Sequence, residues 1–244
     1  MVAEPATWSD PRLADTRFGD VRWFATVDST NRYLLERAAA GAAEGLVAVA
    51  DEQTAGRGRL GRSWTAPPGA ALLVSVLLRP AVPAERRHLV TLAAACALLD
   101  ALDALALDPG AVGVKWPNDV VVGDRKLAGV LAEADARGAV VVGIGVNVRG
   151  DWFPPDLADT ATAVAVDRTE LLVAWLRAYD RRLDGLAEVV DAARVRSATL
   201  GRRVRVEATG GAFEGEARDL TAEGFLVVDD RVVTAADVVH LRPV

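Results

Sequence analysis

The segment from Gly56 to Trp64 combines two properties that an anion-binding loop requires. Its sequence, GRGRLGRSW, alternates arginines, which supply positive charge, with glycines, which free the backbone to wrap around a ligand. It also fits the G-x-G-x-x-G pattern, but it leads into Pro67-Pro68-Gly69 and a strand instead of the helix that a dinucleotide-binding loop opens. We therefore predict a phosphate-binding loop outside a Rossmann domain, with a flexible, arginine-rich surface loop as the alternative.

Two further segments place polar side chains next to predicted strands. KWPNDV holds Lys115, Asn118 and Asp119 around a proline-containing turn, although WPND is also an ordinary turn sequence. KLAGVL starts a strand with Lys126 beside an apolar run, and Gly129 in that strand allows a ligand or a backbone to approach closely. These side chains are candidates to line a cleft.

The rarity of lysine strengthens this interpretation. Lys115 and Lys126 are lysines, whereas the other members of the 28 basic residues are arginines. Where arginine so strongly predominates over lysine, a lysine that remains is more often required as a lysine, because the two cations differ in shape and hydration. A third segment, GIGVN, ends a strand at Asn147, whose amide could either cap a turn or contact the edge of a purine.

The hydrophobic pattern predicts the elements that must position these segments. Strands are predicted at 21–27, 45–51, 71–79, 112–115, 120–122, 126–134 and 139–148, and helices at 29–45, 84–107 and 169–190. From Ser197 onward, short strands separated by turns indicate a small β-barrel. We predict an α+β protein with an N-terminal tail (1–20), a core domain with a mixed, mainly antiparallel sheet and flanking helices (21–196), and a C-terminal β domain (197–244).

Composition excludes several classes of protein. The net charge of −6 provides no global positive field for a nucleic acid, so anionic ligands must be met by local cations. A single cysteine, Cys96, excludes a disulfide framework. The N-terminus lacks the pattern of a signal peptide, and the apolar runs are far below the roughly 18 residues that a membrane span requires. We expect a cytoplasmic protein that binds neither DNA nor a membrane.

Together, the segments GRGRLGRSW, KWPNDV, KLAGVL and GIGVN, preceded by Asp28-Ser29-Thr30-Asn31 and Gln53, resemble the catalytic domain of the biotin protein ligases. The resemblance covers about residues 21 to 150. It implies a core like that of class II synthetases, followed by an SH3-like barrel. Longer members of the family carry a DNA-binding helix-turn-helix, for which the residues before the first core strand are too few, so we expect the non-repressor type.

The resemblance implies that ATP activates biotin to biotinyl-5'-AMP, and that biotin then passes to a lysine of the biotin carboxyl carrier domain of an acyl-CoA carboxylase. It further implies Mg²⁺, with Asp119 as the candidate ligand, and a monomer or weak homodimer. A lipoate or octanoate ligase of the same superfamily and a biotin-sensing regulator without turnover are the alternatives. His88 and His240 lie outside the matched segments and are expected to be structural or surface residues.

The resemblance also assigns three overlapping groups of site residues. The catalytic group is Lys126, Arg59, Arg57, Lys115 and Asp119. The biotin-binding group is Ser29, Thr30, Asn31, Gln53, Gly56, Arg57, Arg59, Lys126 and Gly129. The group that would bind ATP or the adenylate is Arg57, Gly58, Arg59, Arg62, Trp64, Lys115, Asn118 and Asn147.

Overall fold

The computed structural model describes residues 4–208, 211–234 and 236–241. Its first eight strands are β1 (Ala6–Trp8), β2 (Asp20–Val27), β3 (Leu46–Gln53), β4 (Ala71–Leu78), β5 (Val112–Lys115), β6 (Asp119–Val122), β7 (Arg125–Ala134) and β8 (Val140–Asn147). They form one sheet in the order β1-β2-β3-β4-β8-β7-β6-β5. Strands β2 and β3 run parallel, and the other neighbours are antiparallel. The predicted mixed, mainly antiparallel sheet is confirmed.

Helices cover both faces of this sheet. They are α1 (Thr30–Ala39), α2 (Leu89–Ala104), α3 (Arg168–Asp184) and α4 (Val189–Val195). Helices α2 and α3 pack against each other over one face, where Trp175 and Tyr179 are fully buried, and α1 packs on the other face against β3, β4 and β8. The helix predicted over 169–190 is interrupted at Gly185, which has a non-helical backbone and ends α3. Glycine is unfavourable inside a helix, because it loses more conformational entropy there than other residues do, and it therefore often marks a helix end.

Strand β4 shows how the two faces acquire different chemistry. All of its residues are buried, as expected for a strand between two packed layers. Because side chains alternate between faces, Leu72 and Val74 contact the core under α2, whereas Leu73 and Ser75 face α1. Ser75, the one polar residue of this strand, is thereby brought to the first turn of α1.

The segment before residue 21 differs from the expected tail. Strand β1 pairs with β2, and Leu13 and Phe18 are buried in the main core. The Phe18 ring stacks on Tyr179 of α3 at 6.0 Å between ring centroids. Isolated apolar residues in a polar segment give no periodic signal, so this docking depends on tertiary contacts that the local pattern does not contain. Residues 1–3 lie outside the described part.

A small antiparallel sheet follows the main domain. Its strands are β9 (Arg203–Ala208), β10 (Gly211–Leu220), β11 (Leu226–Val228), β12 (Arg231–Val233) and β13 (Asp237–His240), in the order β12-β11-β10-β9-β13. The predicted small C-terminal β unit is confirmed, but it is a five-stranded sheet instead of the predicted β-barrel, because within the described residues β12 and β13 are unpaired edges. Residues 209–210, 235 and 242–244 of the predicted domain lie outside the described part. In the described ranges, each helix is too short or too polar to cross a bilayer.

Candidate active site

A narrow cavity of about 30 Å³, here called the first cavity, lies between the start of α1 and the central strands. Polar side chains from three elements form one of its walls. The Thr30 N–H donates to Oε1 of Gln53 at 2.8 Å, and the Thr30 hydroxyl lies 3.0 Å from the same oxygen. The Ser75 hydroxyl lies 2.7 Å from the Thr30 hydroxyl and donates to Oδ1 of Asn31 at 2.6 Å. These buried groups are satisfied mainly by one another, as buried polar groups must be.

The position of the polar wall follows from local structure. Ser29 is the N-cap of α1, and its hydroxyl accepts from the Arg32 N–H, so the next two residues enter the first helical turn. Gln53 is the last residue of β3, which lies beside β4 in the sheet. A cavity with hydroxyl and amide groups on one wall and glycine backbone on another suits a small, uncharged, polar ring.

The indole of Trp64 forms the opposite boundary of the first cavity. A Cβ added to Gly145 would lie 2.6 Å from Cε2 of this ring, and a Cβ added to Gly129 would lie 3.2 Å from Cζ3. The indole therefore rests directly on the backbone of β7 and β8. Its N–H is buried without a hydrogen-bond partner in the described structure. Such an unsatisfied donor is costly and would be relieved by a ligand or by movement of the ring.

The loop that carries Trp64 is a tight hairpin. The Trp64 N–H donates to the Gly56 carbonyl at 3.0 Å, and the Gly58 N–H donates to the Arg62 carbonyl at 2.7 Å. A Cβ on Gly56 would collide with the Trp64 carbonyl, so glycine is required there. Leu60, at the tip, has a positive φ of 55° and is 72% exposed. Residues of this loop line both cavities.

A second cavity, of about 220 Å³, lies beside the first. Residues Arg57, Trp64, Gly129 and Leu131 line both cavities and define what we call the junction. Five cationic side chains border the second cavity, against two carboxylates. The cations are Arg57, Arg59, Arg62, Lys115 and Lys126, and the carboxylates are Asp119 and Glu207. In a chain with a net charge of −6, this local excess of positive charge suits a polyanion such as a polyphosphate.

The KWPNDV turn and the KLAGVL strand meet in this cavity because β5, β6 and β7 are antiparallel neighbours. Nζ of Lys126 lies 2.8 Å from Oδ1 of Asp119 and 5.6 Å from the centroid of the Trp64 ring. Asn118 accepts from Nη1 of Arg59 at 3.0 Å and donates to the Val130 carbonyl at 2.8 Å. The structure thus brings the two lysines and the glycine-rich loop together.

Asn147 and Gly56 are the two predicted site residues that are absent from the described lining of both cavities. Asn147 has a different role in the structure. Its side chain is 5% exposed and donates to the Thr162 carbonyl at 3.1 Å, and it is absent from the described lining of both cavities. Its amide therefore fixes the segment that follows β8 in this structure. Among the described residues, no three His, Cys, Asp or Glu side chains are grouped to hold a metal ion.

Sequence reasoning missed several residues of the site, among them two polar residues within strands. Ser75 is the single hydroxyl in the apolar strand ALLVSVLL, and Glu133 is a carboxylate near the end of KLAGVLAEA. Glu133 pairs with Arg57 at 3.0 Å and accepts from Nδ2 of Asn31 at 2.8 Å. A polar residue inside an otherwise apolar strand is a signal that could have identified both. Glu207, Val238 and Val239 of the C-terminal sheet also border the second cavity.

A buried histidine links the C-terminal sheet to the KWPNDV turn. The Thr199 hydroxyl accepts from the Trp116 N–H at 3.1 Å and lies 3.1 Å from Nε2 of His240. Burial, together with the nearby positive charges of Lys115 and Arg202, lowers the pKa of His240 to about 4. His240 is therefore neutral at physiological pH, which agrees with the structural role expected for it.

Comparison with known proteins assigns the family. Residues 23–151 match the Biotin/lipoate A/B protein ligase family, and residues 199–241 match the Biotin protein ligase C terminal domain. The chain is 42% identical over 236 residues to the biotin–[acetyl-CoA-carboxylase] ligase of Mycobacterium tuberculosis, covering 89% of this chain and 88% of that protein. The chain belongs to the biotin protein ligase family. The resemblance carried by the four sequence segments is confirmed.

Other members of the biotin protein ligase family agree with this assignment. The biotin–[acetyl-CoA-carboxylase] ligase of Paracoccus denitrificans is 38% identical over 215 residues, covering 78% of this chain and 88% of that protein. The biotin protein ligase of Aquifex aeolicus, solved in complex with biotin and ATP, superposes with a TM-score of 0.79 at 28% identity, covering 91% of this chain and 99% of that one. The common architecture therefore extends over the C-terminal sheet.

Proposed function

We propose that this chain activates biotin with ATP and transfers it, through biotinyl-5'-AMP, to a lysine of a biotin carboxyl carrier domain. The observation that carries the proposal is the junction, where a small cavity with a polar wall meets a larger cationic cavity. A carboxylic acid whose head lies in the first cavity and a nucleotide whose phosphates lie in the second would meet there. Family membership favours biotin as that acid.

The first cavity would hold the ureido head of biotin. A ureido group has one acceptor oxygen and two N–H donors, and the wall of Thr30, Ser75 and Gln53 offers both donors and acceptors. The present volume of about 30 Å³ accommodates about two water molecules, far less than a bicyclic ring. Biotin must therefore displace the Trp64 indole from the strand backbone. The displaced indole would then pack against the bound adenylate.

In the first half-reaction, a biotin carboxylate oxygen attacks the α-phosphorus of ATP, the bond to the β-phosphate oxygen breaks, and pyrophosphate leaves. Two anions must approach each other, so neutralisation of charge and alignment dominate the barrier. Arg57 would hold the carboxylate at the junction. Lys126 and Lys115 would contact the phosphates, and Arg59, which is fixed by Asn118, would stabilise the transferred group.

In the second half-reaction, the neutral amine of the carrier lysine attacks the carbonyl carbon of the mixed anhydride. An amide bond forms, the bond between the acyl carbon and the phosphate oxygen breaks, AMP leaves, and the amine proton passes to solvent. Asp119 is paired with Lys126 in this structure, so it would position that lysine. The glycine-rich loop would exclude water from the adenylate until the carrier arrives.

Mg²⁺ would enter with ATP. Proteins usually hold Mg²⁺ through one or two carboxylates together with substrate phosphates and water. Asp119 borders the cationic cavity and fits that limited role, although its Oδ1 is paired with Lys126. When bound, the ion would neutralise phosphate charge. We further propose the cytoplasm as the location, because ATP and the carboxylase acceptor are available there, and a monomer or weak homodimer as the active form.

The decisive experiment measures the exchange of labelled pyrophosphate into ATP by the purified chain. Biotin, octanoate and lipoate are compared in parallel as the carboxylic acid substrate. We expect exchange with biotin alone, followed by biotin- and ATP-dependent labelling of a purified biotin carboxyl carrier domain. Exchange that prefers octanoate or lipoate would instead support a lipoate or octanoate ligase. Tight biotin binding without exchange would support a sensor that lacks turnover.

A further inference from the structure

Glu133 occupies an unusual position beside the junction. Its two carboxylate oxygens have different partners: Oε1 lies 3.0 Å from Nη1 of Arg57, and Oε2 accepts from Nδ2 of Asn31 at 2.8 Å. The side chain is 24% exposed, so the pair is partly shielded from water. One carboxylate thus connects the glycine-rich loop to the polar wall of the first cavity.

The Asn31 end of this connection is rigid. Asn31 is 4% exposed, its Oδ1 accepts from Ser75, and its Nδ2 also lies 3.3 Å from the Leu131 carbonyl. The Ser75 hydroxyl lies in turn 2.7 Å from the Thr30 hydroxyl, and the Thr30 N–H donates to Gln53. Glu133 is therefore held by a buried network that is anchored in α1, β3 and β4.

The Arg57 end is the more exposed partner. Arg57 lies on a loop whose glycines permit many backbone conformations, and its side chain is 43% exposed. A long side chain on such a loop requires a fixed partner if it is to stay where a substrate needs it. Its guanidinium carries five N–H donors in a planar fork, so pairing through Nη1 leaves other donors for a second anion.

We infer that Glu133 is a positioning residue for the acyl-activation step, because its ion pair holds the Arg57 guanidinium at the junction. The inference rests on the proposed function, in which Arg57 contacts the biotin carboxylate. Glu133 itself is not among the described residues that line either cavity, so we assign it no contact with the substrates. Its other oxygen accepts a hydrogen bond from Asn31. Glu133 therefore fixes Arg57 relative to the polar wall of the first cavity, where the head of the acid would bind.

Glu133→Gln separates the two contacts. The glutamine carbonyl oxygen can still accept from Asn31, but the negative charge opposite Arg57 is lost. We expect kcat/KM for biotin in pyrophosphate exchange to fall about tenfold or more, because small displacements of an aligned group are costly. The KM for ATP should change much less, and the melting temperature should remain that of the wild type. Glu133→Asp keeps the charge but moves the carboxylate away from Arg57, so its kcat/KM for biotin should lie between those of the wild type and Glu133→Gln.

The matched control is Glu170→Gln. Glu170 also pairs with an arginine, Arg12, at 2.8 Å, but it lies at the start of α3, away from both cavities. We expect this variant to remain within about twofold of the wild type. If it lost as much activity as Glu133→Gln, the effect would reflect a general loss of ion pairs, and the inference would be wrong.

A double-mutant cycle with Arg57→Ala, measured with enzyme in excess over biotin, tests whether Glu133 acts through Arg57. In the Arg57→Ala background, Glu133→Gln should have no further effect on exchange. An equal loss in both backgrounds would indicate a purely structural role, and a lower KM for biotin in Glu133→Gln would indicate competition for Arg57. Either result overturns the inference. Absence of exchange in the wild type would overturn the proposed function itself, and the inference with it.

Discussion

Nζ of Lys126, on β7, lies 2.8 Å from Oδ1 of Asp119, on the neighbouring strand β6. Both side chains border the second cavity. The main chain of Lys126 is fixed as well, because its N–H donates to the Thr160 carbonyl at 2.7 Å. A compact ammonium group fits this position, whereas a planar guanidinium is broader and would displace either Asp119 or a ligand oxygen.

Lys126→Arg is therefore expected to reduce adenylate formation on the order of 100-fold, since a displacement of about 1 Å can cost that much. Pyrophosphate exchange measures the effect. Arg22→Lys is the matched control, because Arg22 pairs with Asp20 at 2.9 Å on a strand away from the cavities. Activity of Lys126→Arg within about tenfold of the wild type, a barrier change of roughly 1.4 kcal/mol, would make Lys126 a generic positive charge.

Gly145→Ala should disable the first cavity without unfolding the protein. The added Cβ would lie 2.6 Å from the Trp64 indole, in the space where the ring or a ligand must rest on the strand. We expect the KM for biotin to rise about tenfold or more. Gly19→Ala is the control, because a Cβ there would meet nothing within 4 Å. An unchanged KM in Gly145→Ala would show that biotin binds elsewhere.

His240 should make stability depend on pH below neutrality. Its pKa falls from the ordinary 6.5 to about 4 in the folded protein, where its side chain is 7% exposed. The unfolded chain binds the proton more readily, so this contribution is complete above pH 6.5 and is lost as the pH falls toward 4. At about pH 5 the loss should be on the order of 2 kcal/mol.

Urea unfolding of the wild type and of His240→Gln at a series of pH values measures this effect. Carboxylates titrate in both proteins, so the difference between the two curves isolates the histidine. We expect the free energy of unfolding of the variant to fall less between pH 7 and pH 5, as follows from the lowered pKa. Parallel curves for the two proteins would contradict the assigned burial effect.

The loop over residues 56–69 should be protected by the adenylate. Its tip at Leu60 is 72% exposed, and it carries three arginines at which trypsin cleaves, namely Arg57, Arg59 and Arg62. We expect cleavage in the loop to slow on addition of biotin and MgATP, because a bound anion would engage these side chains. Cleavage at Arg137, in the exposed turn between β7 and β8, is the internal reference. Equal cleavage of the loop with and without ligands would contradict the proposal that the loop covers the adenylate.

The local pattern predicted most elements of the fold. Periodicity identified the core strands and the main helices, and the change to short strands after Ser197 identified the C-terminal unit. The exceptions are β1, the burial of Phe18 and the break at Gly185. The first two depend on a small number of residues whose partners are distant in the chain, so a periodic signal does not develop. The third depends on a single glycine inside an otherwise helical pattern.

The sequence by itself determined which residue types are available for chemistry: the glycine-arginine loop, the two lysines and the hydroxyl and amide groups at the start of α1. Only the tertiary structure decided which of them meet. Glu133 and Asn31 are separated by 102 positions and become neighbours because α1 packs over the sheet that contains β7. Asn147 turns away from both cavities, whereas Glu207 reaches the second one from another sheet. Side-chain periodicity depends on neighbours along the chain, but contacts at the junction depend on strand order and helix docking, which local spacing does not specify.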